Sequence, residues 1–177
     1  MTAGAPSSGS LAKNPVPVVI PPCADSVDGV EVTLFVPCFN EEERILGTLE
    51  TIKSAFGELG ISYEILVVDD GCTDGTVPIV ENFARMNPEI CLRLHRNTRN
   101  LGLARSFVDA AFLGRGKYYR LVCGDNVEPK STMMAIIRSR RKADMVLPYY
   151  PKLPGKSFLR KSLSKLWTFL VDQLGGY

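Results

Sequence analysis

The sequence predicts an α/β fold: a mainly parallel sheet with helices on both faces. Three observations predict it. Short apolar runs rich in Val, Ile and Leu alternate with stretches whose apolar residues recur at helical spacing. The short runs are apolar throughout rather than every second residue, as in strands covered on both sides. Polar residues and glycines gather directly after the short runs, at one end of each predicted strand.

Taken in order, residues 32–39 read as the first strand. Residues 41–59 follow as a helix, with Ile45, Leu49, Ile52, Phe56 and Leu59 on one face. The acidic triplet Glu41, Glu42 and Glu43 falls in its first turn, where the helix dipole favours negative charge, and Gly60 closes it. Residues 63–68 form the second strand and 69–75 a turn. A helix over 77–86 stops before Asn87-Pro88, because the residue before proline is pushed out of the helical region. Residues 90–94 are a third strand. A helix over 102–113 places Leu103, Phe107 and Ala110 on one face. Residues 118–122 are a fourth strand, 129–142 a helix opened by Pro129, 145–148 a fifth strand and 158–174 a last helix.

The chain has 177 residues, enough for one substantial core. Residues 1–30, rich in Ser, Gly, Ala and Pro, read as a disordered leader with no signal-peptide pattern, and 31–177 as the folded domain. Five cysteines, odd in number and without a CxxC pair, argue against a disulfide framework or a structural zinc site. No apolar run approaches the roughly 20 residues a membrane-spanning helix needs. The expected location is cytoplasmic, peripheral at a membrane. The net charge of +2 is uneven: residues 138–165 hold nine Lys or Arg against Asp144 alone. Such a stretch faces an anion or is a solvated basic surface. No nucleic-acid-binding motif accompanies it, so nucleic acid is not an expected partner.

In open α/β sheets ligands bind beyond the carboxyl ends of the strands. The first strand ends in Pro37-Cys38-Phe39-Asn40-Glu41 and the second in Asp69-Asp70-Gly71. The third is followed by Asn97, Asn100 and Gly102, and the fourth ends in Gly124-Asp125-Asn126. Any one of these could be a helix cap or turn punctuation. Four together at one sheet edge point to a binding site. A dinucleotide fold fits poorly: no GxGxxG follows the first strand, and three glutamates there would repel a pyrophosphate.

The run Val36-Pro37-Cys38-Phe39-Asn40-Glu41-Glu42 resembles the first-strand motif of glycosyltransferase family 2, which has the GT-A fold. Residues 69–76, AspAspGlyCysThrAspGlyThr, resemble that family's AspAspGlySerThrAspGlyThr, with Cys72 at the serine. Residues 97–106 resemble its Asn-x-Gly stretch, and residues 123–129 lie where it carries an Asp-x-Asp metal motif.

The resemblance implies a nucleotide-diphosphate-sugar pocket built from Pro37, Asn40, Glu41, Asp69, Asp70, Gly102 and Asp125. It gives Asp125 the catalytic and metal-binding role. The backbone of residues 37–40 would wall the base, and Asp69 and Asp70 would accept hydrogen bonds from base or ribose. The implied cofactor is a divalent cation, Mg²⁺ or Mn²⁺, which prefers carboxylate oxygens and substrate phosphates. Cys123 stands where the first aspartate of Asp-x-Asp belongs, and a thiol is a poor ligand for a hard cation. The site would use one carboxylate or recruit Asn126, Glu128 or Asp70.

Members of the family usually continue past the fifth strand into an acceptor-site half that supplies a base, which residues 31–177 are expected to lack. A phosphate acceptor needs no base, so the dolichol- and polyprenyl-phosphate sugar transferases are the branch this resemblance favours. The expected function is transfer of a sugar from its nucleotide to such an acceptor. The alternative is a degenerate or truncated nucleotide-sugar-binding module without catalysis. The last helix carries Leu163, Leu166, Trp167, Leu170 and Val171 on one face with Lys165 opposite. Residues 156–174 would lie on a membrane surface, or pack on the sheet with Trp167 in the core.

Overall fold

The computed structural model describes residues 29–148 and 158–175. Most of the expected leader and residues 149–157 lie outside this range. The described residues divide into two units, one reaching Asp144 and the other beginning at Met145.

In the first unit β1 (Val32–Cys38), β2 (Tyr63–Asp69), β3 (Cys91–Arg96) and β4 (Tyr118–Leu121) form one sheet in the order β3-β2-β1-β4. Every pairing is parallel. The strands alternate with α1 (Ile45–Leu59), α2 (Thr76–Met86), α3 (Leu103–Leu113) and α4 (Lys130–Arg138). Successive strand residues point to opposite faces, and both faces are apolar. Val32, Leu34 and Val36 of β1 join Ile65 and Val67 of β2 beneath Leu49, Ile52 and Phe56 of α1, with α2 and α4 on the same side. Phe35, Leu66 and Val68 face the other way, against Ala110 of α3. The α/β arrangement read from the sequence is therefore present; within the first unit, among the described residues, α1, α2 and α4 pack on one face and α3 on the other.

Three expectations change. Residues 145–148 form no strand, so the sheet has four strands. Helix α1 starts at Ile45, not at residue 41, and Glu42 and Glu43 lie in the turn before it. Asn40 has a left-handed φ of 56°, and side chains of the next loop take the Glu41 and Glu42 N–H groups. Helix α4 ends at Arg138 rather than running to 142; the chain goes on in turns that bond Ser139 N–H to Ile136 O and Lys142 N–H to Ser139 O.

A polar cluster under α3 was not foreseen. Glu64 is fully buried and accepts from the Thr33 hydroxyl at 2.6 Å, Arg93 Nη1 at 3.2 Å and Arg115 N–H at 2.6 Å. Arg93 Nη1 also donates to Leu113 O at 2.8 Å, and Gly116 N–H to Thr33 Oγ1 at 2.8 Å. The cluster pins the α3–β4 turn to the amino-terminal end of the sheet, opposite the strand ends discussed below. The signal was a glutamate and an arginine inside buried strands, which must be paired.

The second unit contains α5 (Phe158–Gly175). Leu163, Leu166, Leu170 and Val171 are exposed, and Trp167, one candidate for the core, is 70% exposed. No helix among the described residues is long and apolar enough to cross a membrane.

Candidate functional site

Parallel pairing brings the carboxyl ends of all four strands to one edge, and with them the loops 39–44, 70–75, 97–102 and 122–129. The first two loops lie side by side and satisfy one another. Asn40 N–H donates to Cys72 Sγ at 3.3 Å, and Asn40 Oδ1 accepts from Thr73 N–H at 2.9 Å. Glu41 N–H donates to the Thr76 hydroxyl at 2.8 Å and Glu42 N–H to Asp74 at 3.1 Å. Gly75 N–H returns a bond to the Glu42 carboxylate at 2.7 Å. These orphan donors near two helix starts are thus capped by side chains more than 30 residues away in sequence. Burial works to raise the Asp74 carboxyl. Bonds from the Thr76 hydroxyl and N–H and from Glu42 N–H outweigh it and hold Asp74 below the ordinary carboxylate value.

Asp69 and Asp70 divide the next task. Asp69 is buried; one oxygen accepts from Cys72 N–H at 2.6 Å and the other from Arg96 Nε at 3.0 Å. Asp70, also buried, accepts from Asn97 Nδ2 at 2.8 Å, Leu101 N–H at 2.9 Å, Gly102 N–H at 2.9 Å and the Ser106 hydroxyl at 3.3 Å. Burial pushes the Asp70 carboxyl up, but these bonds prevail and lower it. Both aspartates shape the loops beside them. Gly71, at φ 85°, lies where a Cβ would stand 2.9 Å from the Arg99 and Asn100 backbone.

The fourth loop is built differently. Asp125 is half-buried, and Val127 N–H reaches it at 3.3 Å. The residues that could complete a cation site around it are committed elsewhere. Asn126 lies against Gly47 of α1 and is bonded to the Thr51 hydroxyl. Glu128 is paired with Arg120, and Asp70 is filled by its four donors. Burial, then the charges of Asp125, Glu128 and Glu41, push the Cys123 thiol up, and a thiol is in any case a poor ligand for a hard cation. Among the described residues, no three His, Cys, Asp or Glu side chains form a group able to hold a metal.

Two clefts open at this edge. Pro37, Glu41, Asp70 and Gly102 line one of about 430 Å³, together with Phe39 and Asn100. Asn40, Glu41, Thr73 and Asp74 line the other, of about 400 Å³. Of the residues expected at the site, Glu41 belongs to both clefts, whereas Asp69 and Asp125 line neither. Thr73 and Asp74 line a cleft, and the strand-end clusters did not include them. The motif that contains Thr73 and Asp74 carried the signal for them.

His95 is buried, 7% exposed, because β3 runs past the apolar run to Arg96 and sets it opposite Val68. Burial lowers its imidazole below the usual value, and its Nδ1 has no hydrogen-bond partner among the described residues.

A parallel α/β sheet with stitched loops and clefts at its carboxyl edge belongs to the open-sheet class, in which ligands bind beyond the strand ends. The description Glycosyl transferase family 2 matches residues 33–163, and the chain belongs to that family. Relatives include the dodecaprenyl-phosphate galacturonate synthase of Rhizobium johnstonii, 27% identical over 154 residues, covering 86% of this chain and 45% of that protein. The dolichyl-phosphate beta-glucosyltransferase of Dictyostelium discoideum is 29% identical, over 56% of this chain and 32% of its own length. Among solved structures, the mannosyltransferase PcManGT of Pyrobaculum calidifontis, in complex with GDP-Man and Mn²⁺, superposes with a TM-score of 0.54 at 26% identity. That superposition covers 61% of this chain and 31% of the mannosyltransferase. The chain spans less than half the length of these relatives.

Proposed function

We propose that this domain binds a nucleoside-diphosphate sugar at the carboxyl edge of the sheet and takes part in transfer of the sugar to a polyprenyl phosphate. The observation that supports it most is the shared cleft of Pro37, Glu41, Asp70 and Gly102, built from three loops that hydrogen-bond one another. The names of two relatives specify dodecaprenyl and dolichyl phosphate. In that reading the phosphate oxygen of the acceptor attacks the anomeric carbon and the nucleoside diphosphate leaves. The acceptor is already ionised, so no protein base is required.

Asp125 would be the protein's carboxylate contribution to a divalent cation. Its surroundings fit an ion held by one carboxylate and the substrate's own phosphates, as Mg²⁺ often is, and do not fit a protein cage. When bound, such an ion would neutralise charge on the leaving diphosphate. Asn40 and Glu41 position the first loop, while Asp69 and Asp70 fix the shape of the pocket.

The exposed apolar side chains of α5 and the basic run at 138–165 support a peripheral contact with the membrane that holds such an acceptor.

A thermal-shift screen of UDP-, GDP- and dTDP-sugars, with Mg²⁺ or Mn²⁺, tests the donor. At a hundredfold excess over Kd a true donor stabilises by about 2.7 kcal/mol. No stabilisation by any of them would overturn the reading. Binding without transfer to a polyprenyl phosphate would favour a non-catalytic module, the reading to which Cys123 in place of an aspartate and the committed Asn126 and Glu128 lend support.

A further inference from the structure

We propose that Cys38 and Cys72 are a reversible oxidation site, a dithiol whose disulfide staples the first two strand-end loops together. Cys38 is the last residue of β1 and stands in register with Asp69 of β2. Three residues later, the bond from Cys72 N–H to Asp69 at 2.6 Å folds the chain back over the end of β1. Cys72 Sγ then lies 3.5 Å from Cys38 O and receives Asn40 N–H at 3.3 Å. Cys38 Sγ in turn donates to Val68 O at 3.5 Å. Cys72 packs against the core cluster that contains Cys38. A disulfide needs Cα atoms roughly 4.4–6.8 Å apart, and the fold-back that sets Cys72 Sγ 3.5 Å from the Cys38 carbonyl brings the two residues together at the strand end. Both thiols are free.

The pair is also unequal, as a dithiol of this kind requires. Cys38 is buried, and the neighbouring Cys72 followed by burial pushes its thiol up. Cys72 is half-buried, and the neighbouring Cys38 lowers its thiol below the ordinary value. Cys72 is therefore the attacking sulfur and Cys38 the resolving one. With oxidised glutathione as oxidant, the Cys72 thiolate attacks one sulfur and expels one glutathione thiolate, leaving a mixed disulfide. Cys38 then loses its proton to that thiolate or to water and attacks the Cys72 sulfur, expelling the second glutathione. Two protein thiols are oxidised and one glutathione disulfide is reduced to two thiols.

The site needs no assumption about the donor, so its test is separate from that of the proposed function. The full chain is incubated with oxidised glutathione, and unreduced peptides are mapped by mass spectrometry. The expected product is a linked Cys38–Cys72 peptide, two hydrogens lighter than the thiols and returned to them by dithiothreitol. Cys72→Ser should abolish the link and leave Cys38 unmodified. The bridge should raise the Tm of the wild-type chain by several degrees, because it closes a long loop in the unfolded state. Glutathione retained on Cys72 without the link would overturn the proposal. So would reaction of the exposed Cys123 while Cys38 and Cys72 stay reduced, or a linked protein that melts no higher than the reduced one.

Discussion

Asp70 and Asp125 both stand at strand ends, and their surroundings give them opposite expected phenotypes. Removing the Asp70 carboxylate strands buried donors from Asn97, Leu101, Gly102 and Ser106. Asp70→Ala should therefore cost about 3 kcal/mol in urea unfolding, near the upper range for hydrogen bonds to a charged acceptor. Asp125→Ala loses one long bond and should stay within about 0.5 kcal/mol of wild type, while donor binding with Mn²⁺ is lost on calorimetry. An Asp125→Ala protein that binds donor normally would refute the role given to it. The sequence shows that both aspartates exist but not how they differ. The partners of Asp70 are largely backbone and small polar groups 27 to 36 residues away, which no local pattern announces. The same holds for His95, whose burial depended on two more residues of strand than the apolar run 90–94 displays.

At the scale of elements, the period of the apolar residues made four strands and the helices between them legible, because each is long enough to repeat its pattern. Residues 145–148 were too short for a pattern to decide, and composition alone suggested a strand. Helix starts were misread where side-chain caps come from another loop, as at Glu41 and Glu42. Two glycines separate loop geometry from helix propensity. Gly71→Ala meets backbone at 2.9 Å in a left-handed conformation and should destabilise by about 2–4 kcal/mol. Gly57→Ala, on the exposed side of α1 with nothing within 4 Å, should instead stabilise by about 0.5–1 kcal/mol. Chemical denaturation of the two variants checks both signs. For α5, the chain should co-sediment with vesicles of phosphatidylcholine and phosphatidylserine. Leu170→Glu should reduce the bound fraction severalfold, since a charge on the apolar face opposes insertion. Equal binding by the variant would remove α5 from the contact.

Across the whole molecule, stability and the shape of the site are coupled through the same carboxylates. Asp70 and Asp74 bind protons less readily in the folded protein than in the unfolded chain. Their contribution is therefore complete above the unfolded carboxylate range and is lost as pH falls through the lower folded values. Urea midpoints should be flat near neutrality and fall below about pH 4, and Asp70→Asn should make that fall shallower. Within the first unit, α3 packs on the second sheet face, and its Phe107 and Val108 are exposed and its Phe112 is 86% exposed. The helix read over 102–113 gave no sign that Leu103 and Phe107 on its apolar face would be exposed. Finally, the seam between the first two loops makes each signature half of one object. Asn40, Glu41 and Glu42 have their shape only while Cys72, Thr73, Asp74 and Thr76 are docked beside them. Grafted singly onto another scaffold, either segment would carry its letters without its geometry. During folding the pocket should gain order only after β1 and β2 align, so hydrogen exchange in the two loops should slow together.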